Sequence, residues 1–126
     1  DDMLTSLHID ARWNTLGEID LTLGPVLLFL HPDQLAPLTA TLAAIVHSRD
    51  EIAPPPRFIP APTAVVPALL VGRSDNGGVG IAICVAMHQA LGSVTLSPRE
   101  ARRLLDALNW ASLNHPVAAH AAAEVA

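Results

Sequence analysis

Two proline-started helices, each preceded by strand-like segments, constrain this chain more than any other feature. Leu30-His31-Pro32-Asp33-Gln34 and Leu96-Ser97-Pro98-Arg99-Glu100 share one plan: an apolar residue, a capping residue, Pro, and an amide or carboxylate at the third helical position. Proline costs little at the first helical position, where its missing N–H would have no partner anyway. Ser97 and Glu100 are spaced as a capping box, in which each side chain takes a backbone N–H of the other residue. Leu35, Leu38, Leu42, Ile45 and Val46 then fall on one helical stripe, and Ala101, Leu104, Leu105, Leu108 and Ala111 on another. Leu38 and Leu42 correspond to Leu104 and Leu108, and Leu23-Gly24-Pro25-Val26 resembles Leu91-Gly92-Ser93-Val94. Pro37 is awkward in the first helix, where it is expected to kink the opening turns or push the start downstream. The helices should end near Ser48 and at Asn114-His115-Pro116.

Ahead of the first helix the pattern changes to period two. Leu7, Ile9, Ala11 and Trp13 alternate with Ser6, His8, Asp10 and Arg12, and Ile19, Leu21 and Leu23 alternate with Glu18, Asp20 and Thr22. Joined through Asn14 to Gly17, these predict an antiparallel hairpin with one wet face. Val26 to Leu30 is a continuous apolar run, read as a third and more buried strand. In the second half, Val65 to Arg73 reads as a strand, Ser74 to Gly78 as a tight turn, Val79 to Met87 as a strand with small residues on its off-face, and Leu91 to Leu96 as a short further strand. Between the halves, six prolines from Pro54 to Pro67 predict a stiff, extended connector without P-x-x-P spacing, anchored on the domain surface by Phe58 and Ile59.

The expected architecture is therefore a single α+β domain of duplicated β-β-β-α halves: one mostly antiparallel sheet with two amphipathic helices on one face. The first half spans residues 4–49, the connector 50–63, the second half 64–115 and an Ala-rich tail 116–126.

Composition narrows the functions. All seven basic residues are Arg, so lysine Schiff-base chemistry and a phosphate-loop lysine are excluded. A net charge of -5 argues against a nucleic-acid surface, which needs phosphate neutralisation. The single cysteine, Cys84, sits in an apolar run and reads as a small buried hydrophobe. Half the residues are hydrophobic and mean hydropathy is +0.40, yet no apolar stretch reaches the roughly 20 residues of a bilayer span. The excess predicts a core plus a buried partner surface on a soluble protein. The opening is acidic, without the basic start of a signal peptide, so a cytoplasmic address is expected.

No motif names a chemistry. Six histidines lack metal-ligand spacing, and His31 and His47 fit capping and helix-end roles, so no metal and no cofactor are expected. No serine lies in a nucleophile elbow, and Asn76-Gly77-Gly78-Val79-Gly80 precedes a strand rather than a helix, unlike a phosphate-binding turn. The favoured expectation is a non-enzymatic interaction module that self-associates or joins a small complex. Its contact surface is placed on the second helix, where Trp110 lies opposite the buried stripe with Arg103, Asp106 and Leu113 beside it. The alternative is a small enzyme or ligand-binding domain using His8, Asp10, Asp20 and His88 in a cleft between the halves.

Overall fold

A computed structural model describes residues 7–48, 54–85 and 89–114. In chain order it contains β1 (Ile9–Trp13), β2 (Ile19–Leu23), β3 (Val26–Leu30), α1 (Pro32–Val46), β4 (Arg57–Ile59), β5 (Ala68–Arg73), β6 (Val79–Val85), β7 (Gln89–Leu96) and α2 (Pro98–Leu113). The chain is α+β, with antiparallel pairing throughout and a meander before each helix. The tail and the first six residues lie outside the described residues.

Local chemistry explains the elements. Asn14 builds the first hairpin turn: its Oδ1 accepts the N–H groups of Leu16 and Glu18 at 2.9 and 3.0 Å, and Gly17 takes the positive φ of +79°. The second turn places Gly24 at φ +64°, so Pro25 stays out of the ladder. His31 caps α1, its Nδ1 accepting the Asp33 N–H at 3.0 Å, while the Gln34 Oε1 accepts the His31 N–H at 2.9 Å. Ser97 and Glu100 close the predicted box on α2, at 3.1 Å from Glu100 N–H to Ser97 Oγ and 2.9 Å from Ser97 N–H to Glu100 Oε1. Pro37 does not delay the start; α1 runs from Pro32, with the Thr41 hydroxyl donating to the Pro37 carbonyl at 2.7 Å.

The expected single sheet is instead two sheets, β1-β2-β3 and β4-β5-β6-β7. Their inner faces and the two helix stripes form one buried cluster that includes Leu21, Leu30, Leu38, Leu69, Ile81 and Leu108. Each helix crosses over: α1, which follows the first sheet, packs on β4 and β5 of the second, and α2, which follows the second, packs on β1 of the first. The helices also pack on each other.

The strand registers show which positions correspond. Trp13 pairs with Ile19 and Ile19 with Leu30; Arg73 pairs with Val79 and Val79 with Leu96. Trp13 therefore answers to Arg73, and counting back along both strands, Leu7 answers to Pro67. Cross-links between the halves repeat at these positions. Gln34, third in α1, donates from Nε2 to the carbonyls of Pro60 and Pro67 at 3.1 and 2.9 Å. Glu100, third in α2, accepts the Leu7 N–H at 2.7 Å. Proline has no N–H, so an amide donor meets Pro67 where a carboxylate acceptor meets Leu7. At the far ends, the Trp13 indole N–H donates to the Ala111 carbonyl at 2.8 Å and an Arg73 guanidinium N–H reaches the Ser48 carbonyl at 3.5 Å.

Three local expectations change. The Leu-Gly-x-Val match is not structural: Gly24 turns between β2 and β3, whereas Gly92 lies inside β7 opposite Ile83. The connector contains β4, paired with β5, and Ile59 is a core residue rather than a surface anchor. Finally, β3 is an edge strand with a wet face; Leu28 and Leu30 point inward, while Leu27 is 60% and Phe29 44% exposed.

Candidate interaction surfaces

The sequence-predicted acid–base group does not converge. Asp10 is ion-paired with Arg12 at 2.7 Å, next to it on the outer face of β1. Asp20 accepts the Asn14 side-chain amide at 2.9 Å. His8 is exposed at the entry to β1, and His88 lies outside the described residues. Asp20 sits opposite Arg12 in the register, so the outer face carries two carboxylates with partners already in place rather than a shared proton site. Among the described residues, no three His, Cys, Asp or Glu side chains gather as metal ligands would. Cys84 is buried with a free thiol, as its apolar setting predicts. The Glu100 carboxyl is structural. Burial alone would raise its pKa, but the N–H groups of Leu7 and Ser97, the Ser97 hydroxyl and the nearby Arg103 guanidinium together hold it below the ordinary value of 4.5.

The second helix presents the face expected of it. Trp110 is 55% exposed, and Arg103, Asp106 and Leu113 are exposed beside it, while Ala101, Leu104, Leu105, Leu108 and Ala111 are buried. Trp110 does not stand on an open plain. It flanks a cleft of about 610 Å³ between α2 and β1, bounded also by Ala107, Asn114 and Trp13, with Asp10 and Arg12 on the strand side.

A larger apolar groove was not anticipated. Nine large hydrophobic side chains are exposed among the described residues, and five of them, Leu27, Phe29, Phe58, Val65 and Leu91, line one groove of about 840 Å³. The groove runs from β3 along the loop of residues 60–67 to β6 and β7, and among the described residues its walls carry no charged side chain. Gln34 holds that loop in place through the Pro60 and Pro67 carbonyls, so the apolar wall is built from the core outward. The sequence did contain a signal. A strand beside alternating β2, whose Asp20 and Thr22 face water, must share that wet face, so two residues of the Val26 to Leu30 run had to be exposed.

No helix among the described residues is long and apolar enough to cross a membrane. Compared with family models, curated proteins and solved structures, the chain finds no match in any of the three.

Proposed function

We propose that this chain is a non-enzymatic interaction module that self-associates through the groove between β3 and the loop of residues 60–67. One observation carries the reading: among the described residues, five of the nine exposed large hydrophobics line a single groove without a charged wall residue. Such a concentration is costly to leave in water, and charge depletion is what separates the core of an interface from ordinary surface. The patch also has the form that a twofold contact needs. Val65 and Leu91 are highly exposed at its rim, while Leu28, Val66 and Cys84 form a buried floor, so the same surface offers both knobs and a hollow. The chemistry absent from the His8, Asp10 and Asp20 neighbourhood weighs on the same side.

Sedimentation of the wild-type chain tests the proposal. A particle of twice the 13.2 kDa chain mass is expected, reverting to a monomer in Phe29→Glu or Leu27→Glu. Both changes lie on the outer face of an edge strand and should leave the circular dichroism unchanged. A wild-type monomer at every concentration, or a variant that still dimerises, overturns the reading.

A further inference from the structure

The crossed packing leaves the halves unequal in one respect. Helix α1 covers two strands of the second sheet, β5 and its neighbour β4, whereas α2 covers β1, which is the edge of a three-stranded sheet. The correspondence of Trp13 with Arg73 makes β1 the counterpart of β5. Hydrogen bonding confirms that the two strands present equivalent edges. His8 accepts the Gly24 N–H at 2.7 Å and Asn14 donates to Glu18 at 2.9 Å, so the even-numbered residues of β1 face β2. Ile9 and Ala11 turn their backbone N–H and C=O groups the other way. On β5 the same parity holds, and there Leu69 and Val71, the counterparts of Ile9 and Ala11, pair with Ile59 and Arg57 of β4. Among the described residues no strand pairs with β1 on this side.

The cleft beneath Trp110 lies at the position that β4 fills in the other half. It is bounded by β1 from Asp10 to Trp13 and by Ala107, Trp110 and Asn114 of α2. Burial agrees with the correspondence. Leu69 is buried where Ile9 is only partly so, and Thr41 is buried where its counterpart Ala107 is partly exposed. Ala11 forms the nearly closed floor. Trp110, whose counterpart is Ala44, supplies an aromatic wall that the filled half does not have.

We infer that β1 accepts an extended peptide segment of a partner protein, added antiparallel as β4 is added to β5. The pairing partner of Ile9 is expected to be apolar, as Ile59 is, and to pack beneath α2 against Ala107 and Trp110. The residue opposite Asp10 lies on the outer face with Asp10, its ion-pair partner Arg12, and Asp20, which leaves that face one negative charge in excess, so a basic side chain suits it where β4 has Phe58. Strand addition takes its affinity from main-chain hydrogen bonds and its specificity from alternate side chains. This site is separate from the β3 groove and does not rest on self-association there.

The chain has two tryptophans, Trp13 and Trp110, and both border the cleft, so intrinsic fluorescence reports on this site alone. The probe is a displayed library of capped heptapeptides with apolar residues two apart and a varied residue between them, selected on the full chain. Enrichment of sequences with a basic middle residue is expected. A synthetic copy of the winner should shift the tryptophan emission and slow amide exchange at Ile9 and Ala11. Ala11→Pro removes an edge N–H without touching the β2 ladder, and should weaken binding about tenfold or more, the equivalent of one to two lost contacts. Trp110→Ala should also weaken it, while Phe29→Glu should not. Three results overturn the inference: no enrichment beyond that on Ala11→Pro, slow exchange of Ile9 and Ala11 in the free monomer, or protection that rises with protein concentration and no peptide, which would make the occupant a second copy.

Discussion

Replacing Gln34 by Glu changes one atom type at the point where the first helix holds the second half. Gln34 is 1% exposed, and its amide N–H groups satisfy two carbonyls, those of Pro60 and Pro67. A carboxylate keeps the bond from His31 N–H but has nothing to donate. Two hydrogen bonds are lost at about 1 kcal/mol each, and a buried charge facing two carbonyl oxygens adds about 2 kcal/mol more. The expected destabilisation is about 4 kcal/mol near neutral pH, a large part of the 5–15 kcal/mol that a domain typically has. The sign of the pH dependence follows. The new carboxyl is stabilised in its protonated form, which donates to one carbonyl, so its folded pKa lies above its unfolded value of about 4.3. The variant therefore recovers stability relative to wild type as pH falls through that raised folded value, and the recovery is complete below the unfolded value. Urea unfolding followed by circular dichroism at pH 7 and pH 4 measures both effects. A loss below about 1 kcal/mol at neutral pH, or a loss that does not shrink in acid, would refute the account of Gln34 as a donor clamp.

Glu100 should behave in the opposite sense. Its folded pKa is lowered, so its contribution is present above the unfolded value near 4.5 and fades as pH falls through the lower folded value; Glu100→Gln should be less stable than wild type at pH 7, with the gap closing in acid denaturation curves. Leu108→Ala should cost about 2–5 kcal/mol in urea unfolding, as truncation of a core leucine does, since Leu108 is fully buried in the shared cluster. Gly78→Ala should prevent native folding, read as loss of cooperative unfolding: a Cβ there would press on the Leu96 carbonyl oxygen and stand 2.7 Å from the Ser97 carbonyl carbon, both backbone atoms that cannot give way.

Local chemistry was readable because it acts over a few residues. The His31 and Ser97 caps, the Asn14 turn, the Ser74 to Gly78 turn and both leucine stripes all appear where hydrogen-bonding side chains and period placed them. The exposed Trp110 followed from the same helical geometry. What escaped depends on which strand lies beside which. Arg57–Ile59 has prolines on both sides and too few residues to show a period, so only its pairing with β5 makes it a strand. The crossed docking of α1 and α2 leaves no mark in either stripe, because an apolar stripe does not encode which sheet it covers. The groove was missed for a related reason: in an edge strand, five consecutive apolar residues look the same whether two of them face water or none.

The crossed helices also bear on how such a chain could be cut or made. Neither half, severed in the segment between α1 and β4, retains the surface that buries its own helix, since α1 rests on the second sheet and α2 on β1. Two fragments divided there are thus obligate complements: mixed, they should reassemble, while each alone has a leucine stripe with nowhere to go. By the same geometry, a protein consisting of a single half could reproduce this packing only as two exchanged copies. Fusion into one chain replaces that bimolecular encounter with an internal one at an effective concentration of about millimolar, so the intact chain can form its core however dilute it is.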